Sequence, residues 1–299
     1  MREEITILMP VFNGQAHLQA QLQSLARQSH LPTRLIASDD GSRDDSLEIL
    51  HRFARMAPFH VTVLRGPGRG YAQNIHHLLR VMPKGITGFC DQDDVWLPDR
   101  VQQGRLRLQG LTHPALHVTG RIVTDHRLRR KRRLAHHPRP GFANALVQNV
   151  APANATLLSS RATELVRCAL PSAELMPPFP DWWIYALTTG TGGAVLCQDG
   201  ASLLYRQHEA NLLGAAQGAK AGFRRMGYLL DGRYRVWLRA QTQALWQVRD
   251  RLDPEAQVLL RRFSEGLYAR GWTPGRLGIR RQGRAQQAAL AAAARLGLI

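Results

Sequence analysis

The sequence predicts an α/β protein: a mostly parallel, twisted sheet flanked by helices, Rossmann-like in plan, followed by a C-terminal helical extension. Two observations carry this. In the first third of the chain, short apolar runs alternate four times with apolar residues at helical spacing, which argues for a parallel, doubly wound sheet. From about residue 215 onward, apolar residues recur at helical spacing alone.

Ile5–Met9 is the first expected strand, closed by Pro10. Gln15–Gln28 follows as a helix, with Leu18, Leu22 and Leu25 on one face. Leu35–Ser38 is the second strand and ends at Asp39-Asp40-Gly41-Ser42. Asp44 or Asp45 can cap the next helix, whose apolar residues include Leu47, Leu50 and Phe53. Val61–Leu64 is the third strand. The glycine-rich loop Gly66–Gly70 then leads to a helix with Tyr71, Ile75, Leu78, Leu79 and Met82 on one face. The fourth strand begins at Ile86 and runs into Asp91-Gln92-Asp93-Asp94.

Beyond Trp96 the pattern changes. Leu116–Thr119 and Arg121–Thr124 read as two short strands, and Asn154–Leu158 as a buried strand. The basic run Arg127–Arg133 reads as a solvated loop, with a lipid-phosphate or nucleic-acid contact as its sharper alternative. Pro177–Pro180 is a stiff entry to a helix that starts with Asp181 near its cap. Leu203–Tyr205 is a late strand. Phe223, Met226, Leu230, Tyr234, Trp237, Leu238 and Leu245 recur helically, as do Val258, Leu259, Phe263 and Leu267. Gln286–Leu296 is a final alanine-rich helix.

The composition narrows the class. The 299 residues suffice for one large domain or two small ones, and the 44% hydrophobic content is ordinary for a globular protein. No apolar run approaches the roughly 18–20 residues of a bilayer span. The acidic Met1–Glu4 segment does not read as a signal peptide. The three widely spaced cysteines fit reduced thiols in a cytoplasmic protein. The net charge of +18 implies attraction to polyanions, phosphate-bearing substrates among them. The Gly66–Gly70 loop matches neither the dinucleotide-binding nor the P-loop pattern, and no nucleophile-elbow motif occurs.

Two acidic clusters carry the chemistry. Asp91, Asp93 and Asp94 are three carboxylates within four residues at an expected strand end. Such crowding is costly without a counter-charge, and hard oxygen ligands suit Mg²⁺ or Mn²⁺, which also bind substrate phosphates. A solvated turn capping a helix near Pro98 explains the same residues. Asp39-Asp40, placed the same way, favours a site, because ligands of such sheets lie outside the carboxyl ends of the strands. Asn13 falls at the same rim.

Met9-Pro10-Val11-Phe12-Asn13-Gly14, Asp39–Asp44, Phe89–Trp96, Asp181-Trp182-Trp183 and Tyr205–His208, in this order, resemble glycosyltransferase family 2, the inverting nucleotide-sugar enzymes of the GT-A fold. The likeness covers about residues 4–214 and is strongest to the bacterial rhamnosyltransferase-like branch. It implies a GT-A domain over residues 1–214 and a helical extension over 215–299, packing on the domain or near the membrane. It implies a UDP- or dTDP-linked sugar donor, a glycan or lipid-linked acceptor in cell-surface polysaccharide synthesis, and a divalent cation.

By the same resemblance, Pro10, Phe12, Asn13, Asp39, Asp91 and Arg206 serve the nucleotide, with Asp39 on the base, Asp91 on the ribose and Arg206 on the diphosphate. Asp93 and His208 hold the metal, and Asp181 is the general base. Asp94, Arg69 and Trp182 support the site. The sequence departs from the pattern at Phe12, where tyrosine is common, at Pro180, where histidine is common, and in the alanines of Asn149–Thr156. A cytoplasmic enzyme, peripheral at the inner membrane, follows as the expectation. The alternatives are a nucleotidyltransferase, which would carry a basic glycine-rich N-terminal loop, and a basic nucleic-acid-binding protein. Nucleic acid is not the expected partner, because the basic run lacks interleaved aromatics.

Overall fold

The structure, a computed structural model, describes residues 3–129, 131–134, 138–207, 227–228, 231–269 and 272–299. The chain forms two compact units. The first comprises Met1–His137, Ala151–Leu170 and Gly193–Asn211, and the second Pro138–Val150, Pro171–Gly192 and Leu212–Ile299. The segment beyond residue 214 therefore shares its unit with two earlier stretches of chain. Of the expected helical residues, Phe223, Met226 and Leu230 lie outside the described ones.

In the first unit the elements run β1 (Ile5–Val11), α1 (Gln15–Ala26), β2 (Arg34–Asp39), α2 (Ser46–Ala54), β3 (His60–Arg65), α3 (Tyr71–Val81), β4 (Ile86–Phe89), β5 (Val95–Trp96), α4 (Arg100–Leu108), β6 (Ala115–Thr124) and β7 (Lys131–Leu134). After Ala151 come β8 (Thr156–Leu158) and α6 (Ser160–Ala169), and after Gly193 comes β9 (Ala194–Arg206). The sheet order is β3-β2-β1-β4-β8-β6-β9-β5, with β7 on β6. Strands β3, β2, β1 and β4 are parallel, as alternation with helices requires, whereas β8 is antiparallel to both its neighbours. The sheet is thus parallel in its first half and mixed beyond. The chain leaves β1 for β2 on one side and later for β4 on the other, so β1 and β4 mark the switch in strand order where a crevice opens.

β1 is buried throughout and continues past Pro10 to Val11. The hydrogen bonds explain why the proline does not end it. The Leu8 carbonyl accepts the Cys90 N–H on the β4 side, and the Val11 carbonyl accepts the Asp40 N–H on the β2 side. By alternation Pro10 faces the β4 side, where pairing has already ended at Leu8 and Phe89. Its missing N–H costs no ladder bond.

The two strands expected around residues 116–124 are one strand, β6, whose register on β9 shifts on either side of Gly120. Within the expected basic loop, Lys131–Leu134 forms β7, antiparallel to β6. Asn154 lies in a short 3₁₀ turn, Ala153–Ala155, and only Thr156–Leu158 is strand. The late strand is longer than apolar content indicated, because β9 also carries polar residues. Helix α6, not anticipated from the sequence, buries Ala162, Thr163, Val166 and Ala169 on one face, and Ser159 caps it, accepting the Ala162 N–H at 3.2 Å.

Leu157 is a keystone of this core. A Cβ at Gly88 would collide with its Cδ2, and one at Gly104 with its Cδ1. The two glycines make the slot the leucine fills. Gly104→Ala overpacks it and is expected to destabilise the protein by about 1–3 kcal/mol. A melting temperature within a degree of wild type would contradict this.

The second unit is helical. Among the described residues it holds α5 (Phe142–Ala145), α7 (Pro180–Gly190) and the later helices Arg233–Gln247, Pro254–Tyr268 and Arg284–Arg295. Buried polar groups tie it together. The Trp182 indole donates to the Ala145 carbonyl at 2.5 Å, the Tyr185 hydroxyl to Asn144 Oδ1 at 3.0 Å, and the Tyr234 hydroxyl to the Val147 carbonyl at 2.5 Å. Phe179 meets Trp237 edge-on at 4.9 Å. Among the described residues no helix is long and apolar enough to cross a membrane.

Candidate active site

Three loops leave the carboxyl ends of β1, β2 and β4 and are laced to one another. Asn13, in the left-handed region at φ 48°, donates its N–H to Ser42 Oγ at 2.8 Å and accepts the Arg43 N–H at 2.9 Å. Asparagine tolerates that conformation better than most residues. The Gly14 N–H bonds Ser46 Oγ at 2.7 Å, and the Gln15 N–H bonds Asp44 Oδ2 at 3.0 Å. Gln92, between the two acids of the third loop, grips Phe12 twice: its Oε1 accepts the Phe12 N–H at 2.9 Å and its Nε2 donates to the Phe12 carbonyl at 3.0 Å. Pro10 is buried beneath this junction, while the Phe12 ring stands 54% exposed. The rim gathers Asn13, Asp39 and Asp91–Asp94, as strand-end placement implied.

Asp39 is nearly buried and committed to its own turn. Its Oδ2 accepts the Gly41 and Ser42 N–H groups at 3.2 and 3.1 Å, and its Oδ1 the Ser42 hydroxyl at 2.5 Å. Asp40, which the sequence offered only as its neighbour, clamps the glycine-rich loop: Oδ1 accepts the Gly68 N–H and Oδ2 the Gly70 N–H, each at 2.7 Å. Gly66 donates to the Asp39 carbonyl at 2.7 Å, and a Cβ there would stand 2.9 Å from the Asp40 carboxylate. Only glycine fits this approach. Arg69 stands exposed between the two clamped glycines.

The Asp91, Asp93 and Asp94 carboxylates each offer an oxygen within 4.8 Å of the others. Asp91 and Asp93 are half-buried and Asp94 is fully buried. Burial pushes the Asp94 carboxyl well above the usual carboxylate range, Asp91 and Asp93 push it further, and bonds from Asn154 and Arg206 oppose. Clustered hard oxygen donors at this spacing fit a divalent cation.

Arg206, expected on a diphosphate, is 5% exposed, and its Nε and Nη1 donate to the carbonyls of Asp93 at 2.8 Å and His126 at 2.5 Å. It latches the acidic loop to the β6–β7 turn, where Asp125 Oδ1 accepts the Arg127 and Arg129 N–H groups. Burial lowers its pKa, against the opposing charges of Asp93 and Asp94. His208, the other expected metal ligand, lies outside the described residues.

Asp181 belongs to the second unit. Phe179 is the cap of α7 and Pro180 its first residue, so Asp181 sits inside the first turn, where negative charge is favoured. Its Oδ1 accepts the Trp182 N–H and its Oδ2 the Asn149 Nδ2, both at 2.9 Å. Trp182 is nearly buried. Sequence reasoning missed Asn149 as a partner of Asp181, and missed Gln92 and Asp40 as the fasteners of the rim. The amide and carboxylate were visible, but their partners lie from about 30 to 80 residues away.

Comparison with known proteins agrees with this architecture. The dTDP-rhamnosyl transferase RfbG of Shigella flexneri is 22% identical over 235 residues, 76% of this chain and 81% of its own length. The putative glycosyltransferase EpsE of Bacillus subtilis is 24% identical over 173 residues, 55% of this chain and 62% of its own. Among solved structures, S. aureus TarS 1–349 with UDP-GlcNAc superimposes with a TM-score of 0.54 at 14% identity, covering 88% of this chain and 87% of that one. The mannosyltransferase PcManGT of Pyrobaculum calidifontis, with GDP-Man and Mn²⁺, gives 0.52 at 15% identity over 98% and 86%. Residues 6–156 match the sequence model of glycosyl transferase family 2, and the chain, with its laced acidic rim on a GT-A-like sheet, belongs to that family.

Proposed function

We propose that the protein is an inverting, metal-dependent glycosyltransferase that moves a sugar from a UDP- or dTDP-linked donor to a glycan or lipid-linked acceptor in cell-surface polysaccharide synthesis. The observation that carries the reading is the rim itself. In a family 2 chain, two acidic clusters and the β1 loop are bonded to one another at the switch in strand order. The rhamnosyltransferase relative favours dTDP-rhamnose, and TarS favours a uridine nucleotide. The nucleotidyltransferase and nucleic-acid alternatives gain no support from these relatives.

In this reading Asp39 takes the base on its one remaining lone pair, with Pro10, Phe12 and Asn13 walling the nucleotide. Asp91 takes the ribose. Asp93, with His208, would hold a Mn²⁺ or Mg²⁺ ion, which when bound supplies Lewis-acid stabilisation of the departing diphosphate. Arg206 acts by fixing the Asp93 backbone, and Asp94, Arg69 and Trp182 support the site. Asp181 removes the proton from the acceptor hydroxyl as that oxygen attacks the anomeric carbon opposite the leaving diphosphate. One displacement inverts the configuration and requires no enzyme nucleophile. Residues 1–214 would form the transferase domain and 215–299 its helical extension. The +18 charge and the exposed cations around β7 suit a cytoplasmic enzyme working peripherally at an anionic inner membrane.

A thermal-shift panel of UDP, dTDP, GDP and ADP with and without Mn²⁺ tests the reading. A cognate nucleotide at about 100 times its Kd adds about 2.7 kcal/mol, which for a chain of this size raises Tm by roughly 4 °C. Mn²⁺ should enlarge the shift. No shift with any nucleotide overturns the assignment.

A further inference from the structure

Asp94 differs from its two acidic neighbours. It is 0% exposed, and both of its oxygens already accept hydrogen bonds: Oδ2 from Asn154 Nδ2 at 2.7 Å and Oδ1 from the Arg206 N–H at 3.2 Å. Asn154 is itself buried, and its carbonyl accepts Arg100 Nη2 at 2.7 Å. Arg100 is 1% exposed and among the largest fully buried side chains. Its Nη1 donates to Ser202 Oγ at 2.5 Å and Thr119 Oγ1 at 3.3 Å, and its guanidinium lies over the Trp96 ring at 4.1 Å. Burying a cation so completely is expensive unless something compensates it. Here hydrogen bonds hold it in place and the acidic loop lies on the other side of Asn154.

We infer that Arg100, acting through Asn154, anchors Asp94 from behind and is thereby the positioning residue that presents Asp93 to a divalent cation, with Asp94 an anchor and not a ligand. The inference rests on the metal-dependent reading above. Arg100 and Asn154 hold Asp94, and Arg206 holds both Asp94 and the Asp93 carbonyl, so the short acidic loop is pinned at two consecutive residues. Gln92 ties its middle to Phe12. Asp91 and Asp93 stay partly exposed. Groups that orient metal ligands in this way typically change metal affinity or activity by about 10–100-fold when removed.

The test exchanges the two partners. In Asp94→Asn alone, the charged acceptor is gone, and the bond with Asn154 is either lost or kept only by turning the Asn154 amide over and reversing it. In the double variant Asp94→Asn/Asn154→Asp, the introduced amide at position 94 accepts the Arg206 N–H on its oxygen and donates its N–H to the new carboxylate at position 154. Both bonds then return, one of them reversed. Mn²⁺ affinity, measured by electron paramagnetic resonance and calorimetry without donor or acceptor, is expected to fall about 10–100-fold in Asp94→Asn and in Arg100→Met. The double variant should recover most of it. Should Arg100→Met fail to fold, Ser202→Ala removes one acceptor from Arg100, keeps the cation, and should weaken Mn²⁺ several-fold.

A double variant as weak as Asp94→Asn would make Asp94 a ligand. Unchanged affinity in Arg100→Met, or in Ser202→Ala where it is the variant used, would remove Arg100 from the role. Either result leaves the transferase assignment standing, whereas a wild-type protein that binds no Mn²⁺ overturns both.

Discussion

Replacing Asp181 with Asn is expected to lower kcat by about 10²–10⁴-fold, the usual contribution of a positioned general base, while leaving the Kd for the nucleotide-sugar unchanged. The split follows from the proposed division of labour. The Asp181 carboxylate acts on the acceptor hydroxyl, whereas the donor is held by the rim of the first unit. The substitution is nearly isosteric, and the amide oxygen it introduces can still accept the Trp182 N–H. The bond from Asn149 must be given up or reversed, at about 1 kcal/mol. Release of nucleoside diphosphate in the presence of acceptor gives kcat, and calorimetry with the intact donor gives Kd. Retained turnover would reject Asp181 as the base. A parallel loss of donor affinity would place it in the nucleotide site instead.

Chelation is the second large effect. Treatment with EDTA, and the Asp93→Asn substitution, should each cut transfer by about 10²–10³-fold, because several kcal/mol of charge stabilisation at the leaving diphosphate is lost. The two differ on reversal. Excess Mn²⁺ should restore the chelated wild type and leave Asp93→Asn impaired. Asp93 is suited to this comparison because its backbone is held by Arg206 independently of its carboxylate, so the loop should keep its course in the variant. Full activity in EDTA would show that the clustered acids serve some purpose other than metal binding.

The parallel half of the fold was legible because its strands are short, apolar and separated by helix-spaced leucines. Burial on both faces writes such strands as continuous apolar runs, as β1 shows. The mixed half was harder. β9 runs through Gln198, Asp199 and Gly200, which separate its two apolar ends, Ala194–Cys197 and Leu203–Tyr205, and only the second was read as strand. β7 is an edge strand made of cations and one leucine, a composition that keeps edges from aggregating and reads as loop.

At the site, the carboxylates announced themselves by crowding, and their placement at strand ends brought Asn13, Asp39 and Asp91–Asp94 to one rim. What the sequence hid was the fastening. Asp40 on Gly68 and Gly70, Gln92 on Phe12, and Arg100 on Asn154 are bonds between residues distant in the chain. Nothing local marks either partner. At Arg206 an arginine beside a metal motif invites a phosphate, and the structure adds that backbone carbonyls take two of its nitrogens.

The most direct measurement is a crystal structure grown with UDP or dTDP and Mn²⁺, recorded where manganese scatters anomalously. The account predicts one strong manganese peak at Asp93, beside the nucleotide diphosphate, with the base against Asp39 and the Asp181 carboxylate opening onto the same cleft. A manganese peak away from Asp91–Asp94, or a bound nucleotide with Asp181 turned to a different face, would contradict it.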